Sequence, residues 1–384
     1  MKKCNRVLSL LLCALLLASL ALPALAAKKA PSPDPFENEE TFGVAKGFVR
    51  TKALYRTGDS TLRITRSFDK QGKLLKETET ESEYDMINSK ITRCAYDKNG
   101  FLIKKTETRQ TNRGEEEPVV VLFTNDKKGN AVKEEWRMGE NSHSFKRTFD
   151  KKNRLTREIE YFNTGVSDTK ITYDKAGNIT KQRMRSDYED NTWYQTDIVN
   201  TYDKNGNATG WTLKNRASDG SKRDVREQSV FNAKGQCTES TYRETYVTSD
   251  KSYRSVTQKV TTFTYDKKGQ LTKETEKETA DNGSVETTVS TYEYNENGMY
   301  SRTARMSLKG SDKSKSATAY TYDQKGRPTK VVTVYKDQRG ATKTADAFAY
   351  DKHGNLTKNV TVRTGPGAAA EKTVRTYAYQ KIGA

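Results

Sequence analysis

A five-residue unit, aromatic-Asp-x-x-Gly, recurs along most of this chain and constrains its fold more than any other feature. Phe68-Asp69-Lys70-Gln71-Gly72 returns as Tyr96 to Gly100 and, with a slipped first residue, as Asn125 to Gly129. Further copies begin at Phe149, Tyr173, Tyr202, Phe231, Tyr265, Tyr294, Tyr322, Tyr350 and Tyr379. Of the twelve copies, eleven open on an aromatic ring and eleven carry Gly in fifth place. The exception, Asn153, is the next most tolerant residue of a left-handed backbone. Self-similarity at steps of 24 to 34 residues marks a repeat array, not a domain built on one thick core.

Each unit reads as a tight β-hairpin turn. Asp opens a type I turn by binding its own backbone, and Gly accepts the positive φ of the bulge that follows. The turn residues expected on this basis include Asp97 and Gly100, Asp174 and Gly177, Asp203 and Gly206, Asp266 and Gly269, Asp323 and Gly326, and Asp351 and Gly354. A calcium loop is excluded, because one reliable carboxylate per copy is too few for a hard cation.

On either side of the turn, residues alternate with the period of a strand. Counting the aromatic as zero, position +6 is often apolar, as in Leu74, Leu102, Leu155, Ile179, Leu271 and Leu356. Position +7 is Thr or Ser in eight of eleven copies. Position +8 is basic in nine: Lys76, Lys104, Lys133, Arg157, Lys181, Lys273, Arg302, Lys330 and Lys358. The alternation predicts Tyr265 opposite Leu271, Thr264 opposite Thr272, and Phe263 opposite Lys273, with ring and cation on one face. The 49 Thr and 21 Tyr suit pleated surfaces, and 33% hydrophobic residues is too few for a thick core.

The expected fold is all-β: about twelve β-hairpins forming one long, twisted or spiralling antiparallel sheet over residues 67–384. Residues 41–66 form a degenerate leading hairpin with Gly58-Asp59 at its turn, placed to cap the first edge. Left open, the array would span about 110 Å. A membrane barrel is excluded on composition, since lipid contact needs an apolar face on each strand. In Leu271 to Lys277 one face carries two lysines and the other two glutamates.

Residues 1–26 have the basic start, apolar run and Ala24-Leu25-Ala26 ending of a signal peptide, so the chain is expected to be exported, to the periplasm or cell surface. Residues 27–40 form a Pro-rich linker. The chain after cleavage holds 65 Lys and Arg against 50 Asp and Glu, a net of +15, with no membrane span. Only Cys94 and Cys237 remain, five repeats apart, and an open array keeps them as free thiols.

The Y-D-x-x-G-x-[LI] motifs, repeated over about residues 60–384, resemble the RHS or YD-repeat family of bacterial surface and secreted proteins. The resemblance implies a continuous spiralling sheet, which in large members encloses a toxic C-terminal domain, and an association with carbohydrate binding. This chain departs from the pattern: the Arg that commonly follows the Gly occurs only as Arg154 and Arg327. Its repeats run almost to Ala384, so a toxin-carrier role is not expected of it.

Catalysis is not expected. His143 and His353 lie about seven repeats apart, and Ser142 and Ser144 flank His143 on the opposite strand face. No phosphate loop, dinucleotide fingerprint or zinc spacing is present, and no cofactor is implied. Glu274 and Glu276 read as a solvated face balanced by Lys. The +8 column is the one feature with a binding character: cations about 10 Å apart beside tyrosines suit an acidic glycan or envelope polymer. The same cations also serve solubility and edge protection. The variable return loops offer a surface for a protein partner; nucleic acid does not fit the compartment. The sequence therefore leads to an exported, non-catalytic binding or scaffold protein of the cell envelope. The alternative is an accessory shell or partner of an RHS-type secreted toxin system.

Overall fold

The computed structural model describes residues 44–83, 86–309 and 312–383. The expected signal peptide and linker lie outside the described residues.

The chain divides into two compact units. The smaller, residues 155–157 and 167–289, contains β11 (Gly165–Tyr173), β12 (Ile179–Tyr188), β13 (Trp193–Tyr202), β14 (Ala208–Ala217), β15 (Lys222–Phe231), β16 (Cys237–Val247), β17 (Arg254–Tyr265) and β18 (Leu271–Thr279). The larger contains β1 (Phe48–Thr57), β2 (Ser60–Phe68), β3 (Leu74–Glu83), β4 (Met86–Tyr96), β5 (Leu102–Thr111), β6 (Gly114–Glu115), β7 (Val119–Asn125), β8 (Ala131–Met138) and β9 (Asn141–Phe149). It also holds β20 (Tyr300–Lys309), β21 (Asp312–Tyr322), β22 (Pro328–Asp337), β23 (Gly340–Tyr350), β24 (Leu356–Thr364) and β25 (Glu371–Lys381). Strands β10 (Leu155–Phe162) and β19 (Val285–Tyr294) divide between the two, and the first two residues of β11 fall in the larger.

Within each unit, successive strands pair antiparallel, as the repeats require. The turns are built by a shared set of bonds. In the copy at Tyr202, Gly206 N donates to Asp203 O at 3.0 Å, and Asp203 Oδ1 accepts from Asn205 N and Asn207 N at 2.8 and 2.9 Å. Asn207 Nδ2 then donates to Asp203 Oδ2 at 2.8 Å. Arg154 and Arg327 play that last role through guanidinium–carboxylate pairs to Asp150 and Asp323. The fifth position takes positive φ in every copy, including Asn153 at 66° and Gly177 at 100°.

Two sequence expectations are overturned. The first is the register beside the turn. Tyr265 does face Leu271, but Thr264 faces Lys273 and Phe263 faces Glu274, because a bulge leaves Thr272 without a partner. The same step recurs at Phe68, Tyr96, Phe231, Tyr322 and Tyr350. The extra residue explains the Thr column. Thr180, Thr238, Thr272, Thr329 and Thr357 each donate Oγ1 to the carbonyl eight residues earlier, at 3.1–3.3 Å. The hydroxyl satisfies an acceptor that the bulge removes from the ladder.

The second correction concerns the ends of the array. The sheet is not an open ribbon: β25 pairs antiparallel with β1 from Phe48–Lys381 to Thr57–Thr373. The first strand thus has a partner on each side, β2 and β25, and the two ends of the array leave no free edge there. The leading hairpin therefore does not cap a free edge. Strands β6 and β7 both pair with β5 and are one interrupted strand. The seam is well bonded. Arg50, 5% exposed, lies over the Tyr377 ring at 4.4 Å; Thr57 and Thr373 share a hydroxyl bond of 2.7 Å; and Ile382 N donates to Gly47 O at 2.8 Å. Pairing of the ends needs no apolar outer face, whereas insertion in a membrane needs a lipid-facing surface on each strand.

The apolar core is thin. Ile198, Leu213 and Val225 cluster beside Trp211 and Tyr242 in the smaller unit; Val331, Phe348 and Leu356 cluster beside Tyr320, Tyr350 and Tyr377 in the larger. Polar bonds link the repeats. The hydroxyls of Tyr96, Tyr173, Tyr202, Tyr265, Tyr322, Tyr350 and Tyr379 each donate, at 2.7–3.0 Å, to the carbonyl at position +6 of the preceding copy. Asn125, in the slipped copy, does the same with its amide at 2.8 Å. Cys94 and Cys237 are free.

Candidate functional site

The strand alternation sorts charge between the two faces of the sheet. On β3, Glu77, Glu79 and Glu81 alternate with Lys76, Thr78 and Thr80; on β18, Glu274, Glu276 and Glu278 alternate with Lys273, Thr275 and Lys277. The glutamates share a face with the turn aromatics, since Phe263 faces Glu274 and Ile64 faces Glu79. This face is the more covered one. The cation column lies on the other.

All nine column residues are found there, eight of them exposed and Lys133 half-buried. Lys133 pairs with Glu135 at 3.1 Å, Arg157 with Asp168 at 2.9 Å, and Arg302 with Glu293 at 3.6 Å. Lys76, Lys104, Lys181, Lys273, Lys330 and Lys358 form no ion pair among the described residues. The face is basic beyond the column: β12 adds Arg183 and Arg185, β21 Lys313 and Lys315, β22 Lys336, and β23 Lys343. The expected mixed ring-and-cation face is not formed, because the bulge moves +8 to the side opposite the tyrosines.

On the covered face, charges neutralise one another. Arg66 binds Glu77 at 2.6 Å, Lys90 binds Glu79 at 2.8 Å, and Arg147 bridges Glu134 and Glu158 at 2.8 and 2.6 Å. Glu276 and Glu278 are balanced by Lys259 on the next strand, at 3.9 and 2.6 Å, and not by the lysines beside them in sequence. Arg223 binds Glu244 at 2.6 Å, and the Tyr242 hydroxyl donates to the same carboxylate. Burial, and then that bond to Glu244, push the Tyr242 hydroxyl well above its usual range. Burial opposes the Glu244 charge, but Arg223 and Tyr242 outweigh it and hold the carboxyl below its ordinary value.

The histidines do not meet. His143 pairs with Glu160 at 2.6 Å beside Phe145, and exposed His353 packs on Phe48. Among the described residues no group of three His, Cys, Asp or Glu could hold a metal ion. No helix among them is long and apolar enough to cross a membrane, which says nothing of strands.

Two recesses on the covered face escaped the sequence reading. In the smaller unit, a recess of about 470 Å³ is lined by Glu227, Glu244, Glu276, Glu278, Lys259 and Tyr242. In the larger, one of about 590 Å³ lies between the return turn at Asp337–Gly340 and Pro366, with Tyr335, Arg363, Glu371 and several threonines on its walls. Nothing in the turn motif marks them, because their walls are strand and return-turn residues outside the motif.

No family model and no curated protein matches the chain, so its YD-repeat likeness rests on the motif residues alone. Among solved structures, the chain is similar to a porin-like protein from Bacteroides uniformis at 11% identity, with 86% of this chain and 98% of that one covered and a TM-score of 0.24. A porin-like protein from Bacteroides vulgatus matches at 12% identity and the same coverage, with a TM-score of 0.18. At such scores the likeness carries no argument, and the paired ends of the array are read from β1 and β25 alone.

Proposed function

We propose that this is an exported, non-catalytic binding protein of the cell envelope that holds an extended polyanion, such as an acidic glycan, on its exposed basic face. The observation that carries the reading is the separation of charge across the sheet. Glu77, Glu79, Glu276 and Glu278 turn to the covered face and meet cations there, whereas six column lysines face solvent without an ion pair among the described residues. A polymer with repeated sulfate, phosphate or carboxylate groups would meet such a face at many points, each weak and screened by salt.

The test is binding of the chain from Ala27 onward to dextran sulfate, with neutral dextran as control. Binding at low ionic strength, lost near about 0.5 M salt, is expected. Replacing Lys273, Lys330 and Lys358 together by Gln should weaken it and flatten its salt dependence. Failure to bind dextran sulfate at low salt would overturn the proposal.

A further inference from the structure

The recess in the larger unit departs from the rule that charges on the covered face are paired. Arg363 stands directly opposite Glu371 in the β24–β25 register, yet neither forms an ion pair among the described residues. Arg339 and Asp337 lie beside them in the return turn, where the Asp337 carboxylate accepts from Arg339 N at 2.8 Å. The Tyr335 ring stands 42% exposed on the wall. Beneath these groups the floor is fixed. Thr361 donates to the buried Asp346 carboxylate at 2.5 Å and accepts from Arg375 at 3.0 Å.

An anion entering this recess meets Glu371 and Asp337, and a cation meets Arg363 and Arg339. A neutral guest would desolvate both signs without pairing either, which is costly. A guest with one charge of each sign satisfies both. We propose that the recess binds a small zwitterion, its carboxylate or phosphate on Arg363 and its ammonium on Glu371, with the Tyr335 ring covering the cation. The volume of about 590 Å³ accepts an amino acid, a dipeptide or a phosphoamine. This site is on the face opposite the lysine column, so it stands or falls separately from polyanion binding.

Isothermal titration of the chain from Ala27 onward with glycylglycine and with phosphoethanolamine tests the assignment, with acetate and methylammonium as single-charge controls. At least one zwitterion should bind more tightly than both controls by about tenfold or more, and the better of the two names the source. Arg363→Gln and Glu371→Gln should each weaken that binding by about tenfold while leaving the melting temperature unchanged. Either exposed substitution that unfolds the protein is replaced by Arg363→Lys or Glu371→Asp, which keep the charge and should keep most of the binding. Absence of zwitterion binding at roughly 10 mM, equal binding of the controls, or wild-type affinity in both Gln variants would overturn the proposal.

Discussion

At the scale of the residue, the motif distributes three distinct bonding tasks. Asp organises the turn, Thr at +7 satisfies the carbonyl freed by the bulge, and the tyrosine hydroxyl reaches the preceding copy. The last is directly testable. Tyr322→Phe removes the donor to Tyr300 O at 2.9 Å and should cost about 1 kcal/mol in urea unfolding, because the carbonyl loses its partner. Tyr253→Phe, on an exposed ring, should cost next to nothing; equal losses would show that the hydroxyl bond does not link repeats. Gly177 has φ of 100°, so Gly177→Val should destabilise by at least 1–2 kcal/mol more, roughly, than Lys175→Val in the same turn. The turn roles were legible in the sequence because Asp and Gly recur at fixed spacing. The tyrosine bond was not, since its acceptor is a main-chain carbonyl that leaves no side-chain signature.

At the scale of the hairpin, the turn carboxylates make stability depend on acid. Side-chain donation from Asn207 holds Asp203 below its usual carboxylate range, and Asn178 does the same for Asp174. At Asp150 and Asp323 the leading cause is the backbone bond from residue +5, joined by the Arg154 or Arg327 side chain. A carboxyl whose pKa falls on folding stabilises the fold above its unfolded value, near 3.9, and loses that contribution as pH falls through the folded value. The melting temperature should therefore hold steady down to about pH 4 and decline below it. Asn232 and Asn295 already fill the Asp position in two copies, Asn232 accepting from Lys234 N and Gln236 N and Asn295 from Asn297 N and Met299 N. Asp203→Asn should thus be nearly neutral at pH 7 and should blunt the acid decline; an unchanged acid profile would assign the loss to other carboxylates. The existence and position of these hairpins could be read from the repeat, but their register could not. Alternation is the same whether or not one strand carries an extra residue, and one bulge residue exchanges the faces of every cation beyond it.

At the scale of the whole molecule, the pairing of β1 with β25 follows from no motif, and so it left no mark that a pattern search could find. The free thiols show the point: Cys94 and Cys237 were expected to stay apart in an open array, yet they are free although the ends of the array are paired, so their state does not report on the ends. A purpose-built pair would. Thr57 and Thr373 are register partners 316 residues apart in sequence, with their hydroxyls 2.7 Å from each other. With Cys94 and Cys237 changed to Ser, Thr57→Cys with Thr373→Cys places two thiols within the range of cross-strand Cα separations that a disulfide accepts, about 4.4–6.8 Å. Oxidation should give a monomer that migrates faster on a non-reducing gel and returns to normal on reduction, with peptide mapping locating the link. The loop so closed is very long, so the bond should also raise the denaturant midpoint, provided the native geometry takes it without strain. Disulfide-linked dimers in place of the fast monomer, at dilute protein, would mean that β1 and β25 meet between molecules and that the array is open after all.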